Sequence, residues 1–260
     1  LIHLLQENGY SFHESIKVKG VFDRGASLIQ MGLIITTTFS FVLIPLLTEQ
    51  LQKKNHQLVN EYANTSLKIT VLFSMAAAFG LMNLLPLLNT VFFKTNELIG
   101  TLSVFMLTVV FVTFIIMYTA LLQVKLNRNI LFIALIIGMV TKLIGNYWFV
   151  LQFGIFGASL STVLSLAIYT LILHVRVMKL YQFQRMGLFM IKVITLLAIM
   201  SVFVQVVLLI PTHTRMTSLL IMLMAGIVGV MVVIIGIIKM KILIKDEWKH
   251  LPLMDKIIKE

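Results

Sequence analysis

Seven apolar runs, each long enough to cross a bilayer, leave few folds open to this chain: Ala26 to Leu47, Leu67 to Phe93, Ile99 to Gln123, Asn129 to Leu151, Ile155 to Val175, Leu188 to Ile210 and Thr217 to Ile238. A spanning helix needs about 20 mostly apolar residues, because the hydrocarbon core is about 30 Å thick and a backbone inside it must satisfy its own hydrogen bonds. Apolar residues make up 59% of the sequence and charged residues 12%, against roughly 45–50% and 25% in an average soluble domain. The expected fold class is all-α: a polytopic transmembrane helical bundle with about seven full spanning helices.

The net charge is +11, and the place of each cation decides what that excess means. Alternate connections separate the basic residues into two groups. One group holds Lys53, Lys54, Lys68, Lys125, Arg128, Arg176, Lys179, Arg185 and the six lysines from Lys239 to Lys259, while the other holds only Lys17, Lys19, Arg24, Lys94 and Arg215. Lys142 and Lys192 fall inside apolar runs. Fourteen against five is a positive-inside asymmetry, which predicts a cytoplasmic connection at 48–66, a cytoplasmic C-terminus and an outer segment at 6–25 in a plasma-membrane protein. The basic excess then reads as topology and attraction to anionic membrane lipid, with no nucleic-acid partner.

No stretch reads as a soluble domain. Within Thr48 to Ser66, Leu51, Leu58 and Val59 stand among Gln, Lys and Asn, a pattern open to a short interfacial helix or a solvated connector; the tail from Lys245 to Glu260 has the same character. Leu1 follows neither Met nor a basic segment, so the start reads as the end of an earlier helix and not as a signal peptide. The chain is thus expected to be the C-terminal part of a longer protein. A helix facing a water-filled cavity can carry charge, so the first full helix is expected to run from Ser15 to Leu47. That places Asp23 and Arg24 about 13 Å below its outer end at 1.5 Å per residue.

Three stretches together resemble a known family. Val21-Phe22-Asp23-Arg24-Gly25-Ala26-Ser27-Leu28-Ile29-Gln30, closing at Ile44-Pro45-Leu46-Leu47-Thr48, resembles the eighth helix of bacterial polysaccharide and lipid II flippases. Leu121-Leu122-Gln123, Lys142-Leu143-Ile144-Gly145-Asn146 and Gly154-Ile155-Phe156-Gly157-Ala158-Ser159-Leu160-Ser161-Thr162 resemble their helices ten to twelve. The tail Asp246-Glu247-Trp248-Lys249-His250-Leu251-Pro252 resembles the closing segment of SpoVB-like members. By order and spacing over nearly the whole chain, the match is to the MOP superfamily of MATE, polysaccharide-transporter and MurJ-like proteins.

The resemblance implies two pseudo-symmetric six-helix lobes with substrate between them. It assigns residues 1–25 to the end of a preceding helix and an outer segment entering the first full helix, and 26–210 to second-lobe helices. Residues 211–238 become an additional C-terminal helix and 239–260 a basic amphipathic cytoplasmic tail. The implied function is a flippase working by alternating access on a lipid-linked saccharide or peptidoglycan precursor with a diphosphate headgroup. Its partner is the missing N-terminal lobe of the same protein, and no cofactor is expected. The alternatives are a MATE-type cation-coupled multidrug exporter or a membrane-embedded glycosyl- or acyltransferase.

Arg24 is the leading substrate-binding candidate, because a permanently charged, planar guanidinium grips phosphate oxygens bidentately. The competing reading is a surface arginine paired with Asp23 or with lipid phosphate. Asp23 and Gln30 join it on the same helix, although Asp23, being adjacent, faces another way. Lys142 lies deep in its run with Asn146 one turn later and Thr162 expected to approach from the next helix. These three are the candidate internal cation or coupling cluster, with Lys142 either occupying a sodium-like position or pairing with a carboxylate of the missing half.

Apart from Asp23, no Asp or Glu lies inside an apolar run, which counts against a proton-coupled exporter. Catalytic signals are weak. There is no cysteine, no Gly-rich phosphate loop and no His-Glu-x-x-His pattern, and His250 to Asp255 matches an H-x4-D acyltransferase spacing with almost no chain after it. No enzyme and no metal site is therefore expected. Gly154, Gly157, Ala158, Ser161 and Thr162, and Gly226 with Gly229, are expected at close helix contacts. Pro45 and Pro86 are expected to end or kink helices near the interfaces, and Lys68 and Lys192 to snorkel.

Overall fold

A computed structural model describes residues 1–53, 55–125, 129–183, 185–211 and 214–242, with side chains described for these except 35–44, 46 and 56. All regular structure among the described residues is helical: α1 (Ile2–Glu7), α2 (Phe12–Gln52), α3 (His56–Leu88) with a π-helical turn (Asn89–Phe93), α4 (Ile99–Met106), α5 (Thr108–Val124), α6 (Asn129–Phe153), α7 (Ile155–Leu180), α8 (Met186–Leu208) and α9 (Arg215–Lys239). Six spans among the described residues are long and apolar enough to cross a membrane, with α4 and α5 forming one of them. By sequence α2 is the seventh.

The α1–α2, α3–α4, α6–α7 and α8–α9 helix ends meet at one end of the bundle, the upper end, and the α2–α3, α5–α6 and α7–α8 ends at the lower end, while the α4–α5 break at Leu107 falls within a span. Lys17 pairs with Glu97 at 3.0 Å across the upper end. The Asn8 amide donates to the Leu151 carbonyl at 2.5 Å, tying α1 to the top of α6. At the lower end the Tyr181 hydroxyl donates to the Leu121 carbonyl at 2.8 Å. The described members of the larger basic group thus sit toward the lower end and the smaller group of five toward the upper, with Lys142 in mid-helix and Lys192 near the lower end.

α2 starts earlier than its apolar run because its first turn is capped. The Ser11 hydroxyl accepts from the Glu14 amide at 3.3 Å, and the Glu14 carboxylate accepts from the Ser11 amide at 3.0 Å. These bonds satisfy donors that a helix start leaves open. The Ser11 hydroxyl and amide also hold the Glu14 carboxyl below its ordinary value.

Several expectations change. Residues 48–66 form no separate interfacial helix: α2 runs on to Gln52 and α3 begins at His56, so the polar segment is mostly the ends of two long helices. Glu, Gln, Lys and Leu are good helix formers, so polarity alone does not end a helix. Neither proline ends its helix, since Pro45 and Pro86 both lie inside, although the backbone widens to the π turn three residues after Pro86. Lys68 does not snorkel: it is 3% exposed, with its ammonium 5.9 Å from the Phe189 ring centroid. Lys192 donates to the carbonyls of Met240 and Lys241 at 2.8 and 3.0 Å, closing the C-terminal end of α9. The amphipathic tail lies outside the described residues from 243 onward.

Within lipid, helices associate by close packing and interhelical hydrogen bonds, since moving apolar surface from lipid to protein gains little. The α6–α7 hairpin shows how. A Cβ at Gly157 would overlap the Phe149 carbonyl, and one at Gly145 would come within 2.8 Å of the Ser161 hydroxyl. Gly229 is in similar contact with Val204, while Gly226 has Leu84 only at 4.0 Å. α8 and α9 pack on each other and reach the rest of the bundle through α3. There the Asn83 amide donates to the Ser201 hydroxyl at 3.0 Å and accepts from the Gln205 amide at 2.9 Å.

Candidate functional site

The exposed faces of the long helices differ in chemistry. On α8 the exposed side chains include Leu188, Ile191, Ile194, Val202, Phe203 and Val206, and on α9 Leu220, Leu223, Met224, Ile227, Val230 and Ile234. Such surfaces suit hydrocarbon. On α2, by contrast, Asp23, Ser27 and Gln30 are exposed at helical spacing and form a polar stripe on an open face that also carries Ala26, Met31 and Ile34. The opposite face packs on α3, α4 and α5. Gly25 sits where a Cβ would come within 2.7 Å of Leu102 and 2.9 Å of Phe105, and Gly32 meets Leu81 and Val109. The glycine after Asp23-Arg24 therefore lets α2 approach α4 closely.

Arg24 is partly buried between these faces, and its guanidinium carbon lies 5.2 Å from the centroid of the Phe93 ring. It stands seven residues, about 10 Å, below Lys17 at the rim. Asp23 does not pair with it: the Asp23 carboxylate is taken by Lys19, one turn earlier on the exposed side. Among the described residues Arg24 has no carboxylate partner, so its donor fork is uncommitted. Just below, Ala26, Ile29, Gln30, Leu33 and Ile34 line a shallow cavity of about 340 Å³. Gln30 is its polar member.

Lys142, Asn146 and Thr162 are not joined by hydrogen bonds among the described residues. The Lys142 side chain is exposed on α6, flanked by the exposed Met139, Leu143 and Ile144, and Asn146 is partly exposed one turn later. Thr162 is buried and donates to its own helix, at the Ala158 carbonyl, 2.8 Å away. The hydroxyl that α7 brings to this level of α6 belongs to Ser161, which donates to the Lys142 carbonyl at 3.1 Å. No group of three or more metal-ligating side chains occurs among the described residues.

Sequence reading missed Phe93, which lies almost seventy positions from Arg24, and the polar contact of Asn83 with Ser201 and Gln205. A polar residue in each of two apolar runs was the available signal for the latter.

A family model described as the lipid II flippase MurJ matches residues 26–229. The chain belongs to the MurJ lipid II flippase family. Within that frame, the uncharacterized membrane protein YabM of Bacillus subtilis (strain 168) is 29% identical over 166 residues, which cover 64% of this chain and 31% of that protein. The solved structure of lipid II flippase MurJ in an inward closed conformation matches with a TM-score of 0.60 at 21% identity, over 82% of this chain and 46% of that one. The MurJ-like transporter fold follows from this likeness. The chain spans less than half the length of both proteins. The family and the apolar helices together make it a multi-pass membrane protein.

Proposed function

We propose that this chain is the second lobe of a flippase that carries a lipid-linked saccharide with a diphosphate headgroup, such as a peptidoglycan precursor, across the plasma membrane by alternating access. The C-terminus is cytoplasmic, and sequence preceding this chain supplies the first lobe. On this reading residues 26–210 are second-lobe helices, 211–238 an additional helix and 239–260 a cytoplasmic tail.

One observation carries the reading: the polar stripe on α2, with the guanidinium of Arg24 beside it and no carboxylate partner for it among the described residues. Charge and amides are expensive at membrane depth and mark substrate pathways. A diphosphate leaving water needs a fixed cation, and a guanidinium offers it two parallel donors. Gln30, one to two turns deeper, faces the saccharide, and Asp23 holds Lys19 and so keeps a second cation at the mouth. The lipid tail stays in the bilayer against the apolar faces of neighbouring helices.

Lys142 stands near the middle of α6, about 17 Å from Phe153 and about 20 Å from Asn129 at 1.5 Å per residue. That is beyond easy reach of either surface for a lysine stem. It is read as a built-in cation facing the first lobe, with Asn146 beside it, in place of a bound coupling ion. Thr162, hydrogen-bonded within its own helix, contributes packing in this account.

The test is movement of a fluorescent lipid-linked diphosphate saccharide by the intact protein reconstituted in vesicles. Transport of that substrate, abolished by Arg24→Ala, is expected. Efflux of organic cations without movement of the lipid-linked substrate would replace the flippase with a cation-coupled exporter.

A further inference from the structure

At the upper end, on the far side of the π turn from Arg24, a second cavity of about 630 Å³ opens between the α3–α4 connection and the start of α9. Each of its described lining residues carries a polar group. Four hydroxyls (Thr90, Thr95, Thr214, Ser218), one amide (Asn96) and two cations (Lys94, Arg215) line it, with no carboxylate among the described lining residues. The nearest acid in the sequence, Glu97, is occupied by Lys17 at 3.0 Å.

Both cations are positioned by the backbone. The Arg215 Nε donates to the Val91 carbonyl at 2.6 Å, which fixes the guanidinium while leaving its two terminal nitrogens for another group. Lys94 closes the π turn at φ 54°, a left-handed conformation that a residue other than glycine adopts only where its surroundings hold it there. Leu98, at φ 57°, brackets the other end of the same loop. Among the described residues neither Lys94 nor Arg215 meets a carboxylate. The first turn of α9 adds the positive end of a 25-residue helix to the same wall.

Two cations, a ring of hydroxyl dipoles and an amide, with no acid among the described lining residues, make a cradle for a tetrahedral oxyanion. Its place at the ends of membrane-spanning helices sets it at headgroup level, and its flanks are greasy: Phe92, Met216 and Leu220 are all exposed beside it. We propose that this pocket holds a phosphate group, carried on the headgroup of an anionic membrane lipid whose acyl chains lie along Met216 and Leu220. This site is separate from the Arg24 site, because the π turn presents the Phe93 ring to Arg24 and the Val91 carbonyl to Arg215.

The test uses the intact purified protein, with native mass spectrometry reading retained phosphatidylglycerol against phosphatidylcholine, and inorganic phosphate as competitor. Phosphatidylglycerol should be retained preferentially. Removing both charge-assisted contacts in Lys94→Asn/Arg215→Gln should lower that retention roughly tenfold. Lys94→Asn alone should lower it by a smaller factor. The single variant protects against a folding artefact, because Asn tolerates the left-handed backbone, keeps the backbone bond to the Asn89 carbonyl, and replaces a side chain with no hydrogen bond among the described residues. Undiminished phosphatidylglycerol retention in both variants would overturn the pocket assignment. Equal retention of the two lipids, with inorganic phosphate bound instead, would overturn the lipid as the source of the phosphate.

Discussion

The guanidinium of Arg24 lies over the ring of Phe93 at 5.2 Å, so the arginine beside the polar stripe of α2 is held in place by the turn that ends α3. An arginine that is aimed but not neutralised is suited to receive an anion and release it. Arg24→Ala should abolish transport while leaving membrane abundance normal, and Arg24→Lys should keep part of the activity if charge outweighs fork geometry. A cation–π contact at a partly exposed site contributes about 0.5–1 kcal/mol, so Phe93→Leu should slow transport by roughly two- to fivefold and Phe93→Tyr should restore it. Paired transport assays and membrane immunoblots check this; wild-type activity in Arg24→Ala would reduce the residue to a surface anchor.

Lys142 gives a second prediction. If Lys142 is the built-in cation proposed above, added sodium is unnecessary, and transport by the unmutated intact protein should not change when sodium is replaced by choline. Lys142→Met should lower activity by leaving Asn146 without its charged neighbour. Strong sodium stimulation of the unmutated protein would remove the idea.

At Gly157 the prediction concerns stability. A methyl group there meets the Phe149 backbone, which cannot rotate aside as a side chain can. Overpacking costs typically about 1–3 kcal/mol, so Gly157→Ala should lower the thermal midpoint of the purified protein and its abundance in membranes. Gly226→Ala, whose Cβ would have only Leu84 at 4.0 Å, is the matched control and should behave as the parent.

Topology is open to a direct check because the chain has no cysteine of its own. Single cysteines at Asn55 and at Lys256 should resist an impermeant thiol reagent in intact cells, and one at Glu97 should react. Labelling of the first two from outside would invert the orientation.

Spans and ends were legible because both are written in composition: a run of about 20 apolar residues has few alternatives to crossing the bilayer, and the cations sort by connection. The Asp23-Arg24 pair was legible as charge on a helix. Its surroundings were not, because Phe93 is an ordinary apolar residue at the end of a run and only the fold carries it to Arg24. Likewise Lys192 differs from a snorkelling lysine only in that the carbonyls of Met240 and Lys241 end beside it. Hydropathy also placed the helix ends too far inward, since it registers greasiness and is blind to a capped polar turn such as Ser11 to Glu14.

The unbroken length of α2 has a mechanical consequence. Its 41 residues make a rod of about 61 Å at 1.5 Å per residue, against about 40–45 Å for a bilayer with its headgroups. A rod longer than the layer it crosses acts as a seesaw: tilting it by about 10° around its midpoint swings the tips about 5 Å in opposite directions, given that length. Arg24, between fulcrum and upper tip, would travel about 2 Å toward one wall as Glu49 and Lys53 swung toward the other. Pro45, with no amide hydrogen to donate, is the natural place for the lower arm to flex. Gripping above and opening below would then be two ends of one stroke.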